Sequence, residues 1–142
     1  MYSKPEIMQK LTAVHTAYKV DFIFQNNITL LMGNSGTGKT TVFDIIQEAS
    51  LDDERILCIN YLDKRKNLRY MLETAEGKLI VIDNADLLLT DELRKFIAFD
   101  TKNQYLIIGR NPSNLLVTKD NLYELEVVMK GRETEFKLKR YI

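Results

Sequence analysis

The stretch ITLLMGNSGTGKTTVFDII, residues 28–46, decides the predicted fold. Its centre, residues 33–40, fills every position of the pattern G-x-x-x-x-G-K-[ST]. The apolar run before this pattern predicts a buried strand, and the spacing of Val42, Phe43 and Ile46 after it predicts a helix. Because glycines allow a tight turn and a helix N-terminus attracts anions, the stretch predicts a phosphate-binding turn.

The predicted phosphate-binding turn contributes most of the candidate nucleotide-binding residues. They are Gly33, Asn34, Ser35, Gly36, Thr37, Gly38, Lys39, Thr40 and Thr41. In such a turn the Lys39 ammonium reaches the β- and γ-phosphates of a nucleotide, and the Thr40 hydroxyl coordinates Mg²⁺. The alternative is a glycine-rich turn that fits the pattern by chance, but the strand and helix patterns on either side argue against it.

The composition is typical of one ordinary globular domain. The chain has 142 residues, of which 45% are apolar, and its 20 basic and 20 acidic side chains cancel. This balance gives no overall signal for a nucleic-acid or acidic-membrane partner. The single cysteine, Cys58, lies in an apolar run and is expected to be a buried core residue rather than a reactive thiol. Without an apolar run of membrane-spanning length or a leader pattern, a cytoplasmic location is expected.

A second apolar run, residues 79–82 (LIVI), ends at Asp83. Four β-forming residues in a row predict a central strand that is buried on both faces, as in parallel sheets. Open α/β sheets bind ligands at the carboxyl ends of their strands, where Asp83 would lie. Since Mg²⁺ prefers oxygen ligands and keeps several waters, Asp83 and Thr40 form the predicted metal site.

The remaining pattern predicts further helices and strands. The predicted helices are an amphipathic helix that starts at residues 3–6 and runs to about residue 13, a helix that ends near Gly77 and a helix capped by Thr90. The predicted strands are a half-buried strand over 18–24, buried strands over 56–59 and 105–108, and a hairpin over 122–141. Arg110 and Asn111 follow the strand over 105–108, so they are expected at the same sheet edge as Asp83.

Two basic features have two interpretations each. Lys64, Arg65, Lys66 and Arg69 are expected to lie on a solvated loop that runs into a helix, with a phosphate or polyanion contact as the alternative. His15 is expected to be a surface residue, with a catalytic role as the alternative.

The order of these elements resembles that of the P-loop NTPases, and specifically the additional-strand, AAA+/STAND-like ATPases. GNSGTGKTT is similar to a Walker A segment, LIVIDNAD to a Walker B segment and IIGRNPSNL to the strand that carries the sensor-1 residue. The resemblance covers about residues 22–116. It implies an α/β fold, with a three-layer sandwich around a mainly parallel central sheet, as a single nucleotide-binding domain over residues 1–142. A short N-terminal helix and strand and a C-terminal β-hairpin would complete this domain, without a helical lid domain.

The resemblance also assigns roles to residues of this chain. It implies that Lys39 and Thr40 bind phosphate and Mg²⁺, and that Asp83 holds the Mg²⁺ through water. Arg110 or Asn111 would sense the γ-phosphate. The candidate catalytic residues are Lys39, Asp83, Asp86 and Arg110.

A departure from the family pattern affects the expected activity. Many ATPases of this branch have a glutamate directly after the Walker B aspartate, whereas this chain has Asn84, a neutral amide that cannot take a proton. Asp86 is either the substitute acid or a helix N-cap, and the sequence leaves both interpretations open. Since no arginine finger can be assigned from one chain, slow turnover is expected.

The sequence therefore predicts a Mg²⁺-dependent ATP-binding protein, a slow ATPase or nucleotide switch that acts with a protein partner or as a homo-oligomer. One alternative is a small-molecule kinase, for which only residues 64–69 could supply a basic lid. The other is an assembly module that binds ATP without hydrolysing it, which Asn84 favours. The preference for ATP over GTP rests on the family resemblance.

Overall fold

The computed structural model describes residues 4–33 and 38–141. Four predicted binding residues, Asn34, Ser35, Gly36 and Thr37, lie outside the described residues. The strands are β1 (Lys10–His15), β2 (Tyr18–Ile23), β3 (Ile28–Met32), β4 (Ile56–Ile59), β5 (Leu79–Ile82), β6 (Gln104–Ile108), β7 (Leu122–Lys130) and β8 (Glu133–Arg140). The helices are α1 (Lys39–Ser50), α2 (Leu68–Thr74), α3 (Ala85–Leu88) and α4 (Asp91–Phe99), and 3₁₀ turns cover Tyr61–Asp63 and Lys119–Asn121.

All eight of these strands form one mixed sheet in the order β1-β2-β8-β7-β3-β6-β5-β4. Strands β7, β3, β6, β5 and β4 are parallel neighbours, whereas β8 is antiparallel to β7 and β1 is antiparallel to β2. The sheet curls into a half-barrel, and only 28% of the structure is helical. The predicted three-layer sandwich with a mainly parallel sheet was therefore wrong. The N-terminal and C-terminal segments extend the sheet with strands of both directions.

The predicted N-terminal helix was also wrong, because residues 4–9 form no helix and the following residues are strand β1. The spacing of Ile7, Leu11 and Val14 suggested a helix face, but Val14 is 66% exposed whereas Leu11 and Ala13 are buried. This alternation is typical of a strand. β1 pairs with β2 through a tight turn at Thr16, which has a positive φ of 51°.

Most of the other predicted elements are confirmed. The helix after the glycine-rich turn, the helix capped by Thr90, the buried strands β4, β5 and β6, and the antiparallel β7–β8 hairpin all form. The Thr90 hydroxyl accepts a hydrogen bond of 3.2 Å from the Leu93 N–H, as its predicted capping role requires. Local patterns thus predict the individual elements well, and the wrong element is the N-terminal helix.

The core lies on both faces of the sheet. On one face, buried side chains of α1 such as Phe43 and Ile46 pack with Val20 and Phe22 of β2. On the other face, α2, α3 and α4 cover the parallel strands. Because β5 is buried on both faces, all four of its residues are at most 1% exposed.

An ion-pair network connects side chains of β7, β8 and β2. The Glu135 carboxylate lies 3.0 Å from Lys130 Nζ and 3.1 Å from Lys137 Nζ. Lys137 Nζ is also 3.3 Å from Asp21 on β2, so the network crosses from β8 to its parallel neighbour. The hydrogen bonds from Lys130 and Lys137 lower the pKa of Glu135 from its ordinary value to about 2.

This pKa predicts an acid-dependent contribution of Glu135 to stability. A carboxyl whose pKa is lowered in the folded state stabilises the fold fully above its unfolded pKa of about 4.3. That contribution is lost as the pH falls towards 2. We therefore expect the difference in melting temperature between the wild type and Glu135→Gln to shrink as the pH falls from 6 to 2.5. Glu133→Gln, an exposed change on the same strand, is the matched control, and a difference that stays constant with pH would contradict the prediction.

Candidate functional site

Three neighbouring parallel strands bring the predicted site residues to one edge of the sheet. β6 lies between β3 and β5, which is the position that the family resemblance implies for an additional strand. The register pairs Leu31 with Ile108 and Ile82 with Ile107. The residues that follow these strands, including Asp83 and Arg110, therefore come together at the same carboxyl edge.

Lys39 is the first residue of α1 and faces back to the beginning of the phosphate-binding turn. Its ammonium donates a hydrogen bond to the carbonyl of Gly33, the residue directly after β3. This contact joins the residue that follows β3 to the start of α1, and the helix begins at Lys39, as the motif predicts. Thr40 is exposed and Thr41 is half-buried in the first turn of the same helix.

Gly38, the N-cap residue of α1, packs against the C-terminal hairpin. Its φ is 99°, and a Cβ at this position would lie 3.1 Å from Phe136 Cε1 and 3.3 Å from Leu125 Cδ2. A side chain here would therefore suffer both backbone strain and crowding. The sequence motif requires this glycine, but it does not predict the contact between the turn and the hairpin.

Opposite charges converge on the Lys39 ammonium. Burial lowers its pKa, and the positive charge of Arg110 lowers it further. The negative charges of Asp83 and Asp86 act in the opposite direction and raise it. Arg110, Asp83 and Asp86 thus all act electrostatically on Lys39.

Asp83 is half-buried at the end of β5. Burial raises the pKa of its carboxyl, and the negative charge of Asp44 on α1 adds to this increase. The Asn84 N–H, which donates to Asp83 Oδ1 at 2.9 Å, and the Lys39 charge oppose it. An added cation near Asp83 would therefore be favoured, since it would offset the cost of burying the charged carboxylate.

Asp86 lies in the first turn of α3, and its carboxylate binds the loop after β6. The N-cap of α3 is Asn84, in the left-handed conformation, so the interpretation of Asp86 as a helix N-cap was wrong. Asp86 Oδ2 accepts a hydrogen bond of 2.9 Å from the Arg110 N–H, and Oδ1 accepts one of 3.0 Å from the Asn111 N–H. The side chain thus connects the Asp83 turn to the predicted sensor loop.

The close approach of these two segments requires a glycine at the end of β6. A Cβ on Gly109 would lie 2.9 Å from Asp86 Oδ1 and 3.3 Å from the Ala85 Cβ. Any side chain at Gly109 would therefore push the loop away from Asp86.

Arg94 is a site residue that the sequence analysis missed. Its side chain is 2% exposed, and it donates to the carbonyls of Asn111 and Ser113 in the sensor loop, the latter at 3.3 Å. It also donates to the Leu89 carbonyl at 3.4 Å and lies 3.5 Å from Asp86 Oδ1. A basic residue on an otherwise amphipathic helix predicts an exposed charge, so nothing local indicated this burial.

The other predicted residues lie around this centre. The side-chain oxygen of Asn111 accepts a hydrogen bond of 2.9 Å from the Ser113 N–H, so it is already used within the loop. In the basic segment, Lys66 lies 2.7 Å from Asp63 and Arg69 pairs with Glu73 one helical turn away. These contacts favour the solvated-loop interpretation of that segment.

Cys58 is half-buried and packs against the core on the α1 side of the sheet, so it is less buried than the sequence predicted. Burial raises the pKa of its thiol to about 12, so little thiolate is present, in agreement with the predicted lack of reactivity. His15 is exposed, and its Nδ1 lies 2.8 Å from Glu48 Oε2 on α1.

The donor atoms available for a metal are few. Thr40 offers a hydroxyl and Asp83 a carboxylate, both of which are hard oxygen ligands. Within the described residues, no group of three or more His, Cys, Asp or Glu side chains is arranged to hold a metal ion. This donor set fits Mg²⁺ that arrives with a nucleotide, because Mg²⁺ uses one or two protein oxygens, substrate phosphates and water.

Comparison of the chain with protein-family models, curated proteins and solved structures gave no match. The resemblance to the P-loop ATPases therefore rests on the residues and geometry described above and stays a prediction. None of the helices in the described part of the chain has the length and apolar character that a membrane span requires.

Proposed function

We propose that this protein binds Mg²⁺-ATP at the edge formed by β3, β5 and β6, and that it acts as a nucleotide switch or slow ATPase with a partner. The observation that carries the proposal is the geometry at this edge. Lys39 donates a hydrogen bond to the carbonyl of Gly33 directly after β3, and Asp83 directly follows β5. Asp86 accepts a hydrogen bond from the N–H of Arg110 in the loop after β6, the strand between β3 and β5. Such a mixture of charges at the carboxyl ends of parallel strands is typical of a ligand site.

Each side chain has a task in this proposal. Lys39 binds the β- and γ-phosphates in place of the Gly33 carbonyl that it contacts in the structure. Arg110 provides a second cation for the γ-phosphate, while Thr40 and Asp83 hold the Mg²⁺, Asp83 through water. The bound Mg²⁺ would neutralise phosphate charge that develops during transfer.

The expected turnover is slow because the site lacks an evident base. Asn84 cannot accept a proton, and both oxygens of Asp86 already accept hydrogen bonds from backbone N–H groups. The same observation favours a second candidate function, an assembly module that binds ATP without hydrolysis. In that case the bound γ-phosphate would order the loops at Asp83 and Arg110 for a partner. A cytoplasmic location stays a prediction.

The test is Mg²⁺-ATP binding by calorimetry together with hydrolysis per protomer over a wide range of protein concentration. Lys39→Ala is the blank, and Lys95→Ala, an exposed lysine on α4, is the matched control. We expect binding in the wild type and the control. A hydrolysis rate per protomer that rises with protein concentration indicates an arginine supplied by a second copy of the chain. ATP binding with a near-zero rate at every concentration supports the assembly module that binds ATP without hydrolysis. Absence of ATP binding in the wild type would refute the proposed function.

A further inference from the structure

We propose that Asp86 is a positioning residue that holds the backbone of the Arg110 loop, so that Arg110 distinguishes ATP from ADP. The inference rests on the proposed function, and it assigns to Asp86 a role other than the general base that the sequence suggested.

The geometry of Asp86 is that of a clamp. Its two oxygens accept hydrogen bonds from two successive backbone N–H groups, those of Arg110 at 2.9 Å and Asn111 at 3.0 Å. Gly109 allows this approach, since a Cβ there would lie 2.9 Å from Asp86 Oδ1. Hydrogen bonds to a charged carboxylate are stronger than neutral ones, and two on adjacent residues fix the direction of the chain.

Arg94 holds the same loop from its other side. It donates to the carbonyls of Asn111 and Ser113, whereas Asp86 accepts from the N–H groups of Arg110 and Asn111. Arg94 also lies 3.5 Å from Asp86, which places a positive charge next to the clamp. The backbone of Asn111 is therefore bound at both its N–H and its carbonyl.

The contacts of Asp86 and Arg94 fix the backbone position from which the Arg110 side chain extends. Arg110 itself is exposed and follows β6, the parallel neighbour of β3, so it lies at the same sheet edge as the residues that follow β3. Its positive charge lowers the pKa of Lys39, in agreement with this placement. The γ-phosphate of ATP would contact both Lys39 and Arg110, whereas ADP has no γ-phosphate for Arg110 to bind. The loss of the clamp should therefore reduce the preference for ATP over ADP more than it reduces nucleotide binding in general.

The experiment is a double-mutant cycle with Asp86→Asn and Arg110→Ala, with the dissociation constants of ATP and ADP measured for each protein. Asparagine keeps the size of the side chain, but its NH₂ group cannot accept from one of the two N–H groups. We expect each single change to reduce the ATP/ADP preference by about tenfold. The double variant should show no further loss, because Asp86 acts through Arg110.

Two results would overturn the proposal. Additive losses would mean that Asp86 acts independently of Arg110. Loss of hydrolysis with an unchanged ATP/ADP preference would identify Asp86 as a base. If Asp86→Asn does not fold, Gly109→Ala disturbs the same contact from the loop side and is expected to reduce the preference in the same way.

A second measurement needs no nucleotide and so separates this proposal from the proposed function. Hydrogen exchange of the Arg110 and Asn111 amides should be faster in Asp86→Asn than in the wild type, because one of the two N–H groups loses its acceptor. Asp52→Asn, an exposed change in the turn after α1, is the control. If both amides keep their wild-type exchange rates, the clamp is refuted even where ATP binds; if ATP does not bind but exchange is faster, only the proposed function fails.

Discussion

A Lys39→Met variant is expected to lose about 30- to 150-fold in affinity for Mg²⁺-ATP, which corresponds to about 2–3 kcal/mol for hydrogen bonds to a charged group. The ammonium is the cation at the start of α1, and it donates a hydrogen bond to the carbonyl of Gly33, at the start of the predicted phosphate-binding turn. Methionine keeps the apolar stem of the side chain but removes the charge that faces the phosphates. The measurement is calorimetric titration with ATP, and Lys95→Met on α4 should bind as the wild type does.

The stability of the nucleotide-free variant provides a separate control. Because burial lowers the pKa of Lys39, the folded state disfavours the ammonium relative to the unfolded state at neutral pH. Removing it should therefore leave the unfolding free energy within about 1 kcal/mol of the wild type, despite the lost hydrogen bond. ATP should raise the melting temperature of the wild type but not that of Lys39→Met. Full ATP affinity in this variant would rule out the phosphate-binding assignment.

An Arg94→Met variant is expected to lower the free energy of unfolding by about 3 kcal/mol, the cost of removing one partner from a buried ionic and hydrogen-bonded group. Arg94 is 2% exposed, and its loss would leave the carbonyls of Asn111 and Ser113 without this donor. Asp86 is 39% exposed, so water can replace part of its contact with Arg94. The measurement is equilibrium unfolding in urea, with the midpoint and slope compared with those of the wild type.

Arg69→Met is the matched control for Arg94→Met. Arg69 also pairs with an acidic side chain, Glu73, but its side chain is 51% exposed. An exposed pair one helical turn apart contributes about 0.3–0.5 kcal/mol. A loss in Arg94→Met no larger than that in Arg69→Met would show that the buried contacts add little, and it would weaken the case that the Arg110 loop is rigidly held.

The N-terminal segment contains strand β1 in place of the predicted helix because its residues fit both periods. Ile7, Leu11 and Val14 fit a helical period, but the same segment also has Leu11 and Ala13 at strand spacing. The free edge of β2 decided between them, because pairing with it satisfies the backbone of β1 and buries Leu11 and Ala13. Where a short segment fits two periods, its neighbour in space selects one.

The sequence by itself determined the strand before and the helix after the glycine-rich segment, the strands β4, β5 and β6, and the place of Asp83 at a strand end. These features depend on residues close together in the chain, through periodicity, glycine conformation and helix capping. Tertiary structure alone decided the curled mixed sheet, in which β2 pairs with β8 more than a hundred residues later, and the burial of Arg94. It also placed Asp86 against the Arg110 loop. Which strand edges pair, and which polar groups meet, depends on contacts between distant segments, and a linear pattern does not specify those contacts.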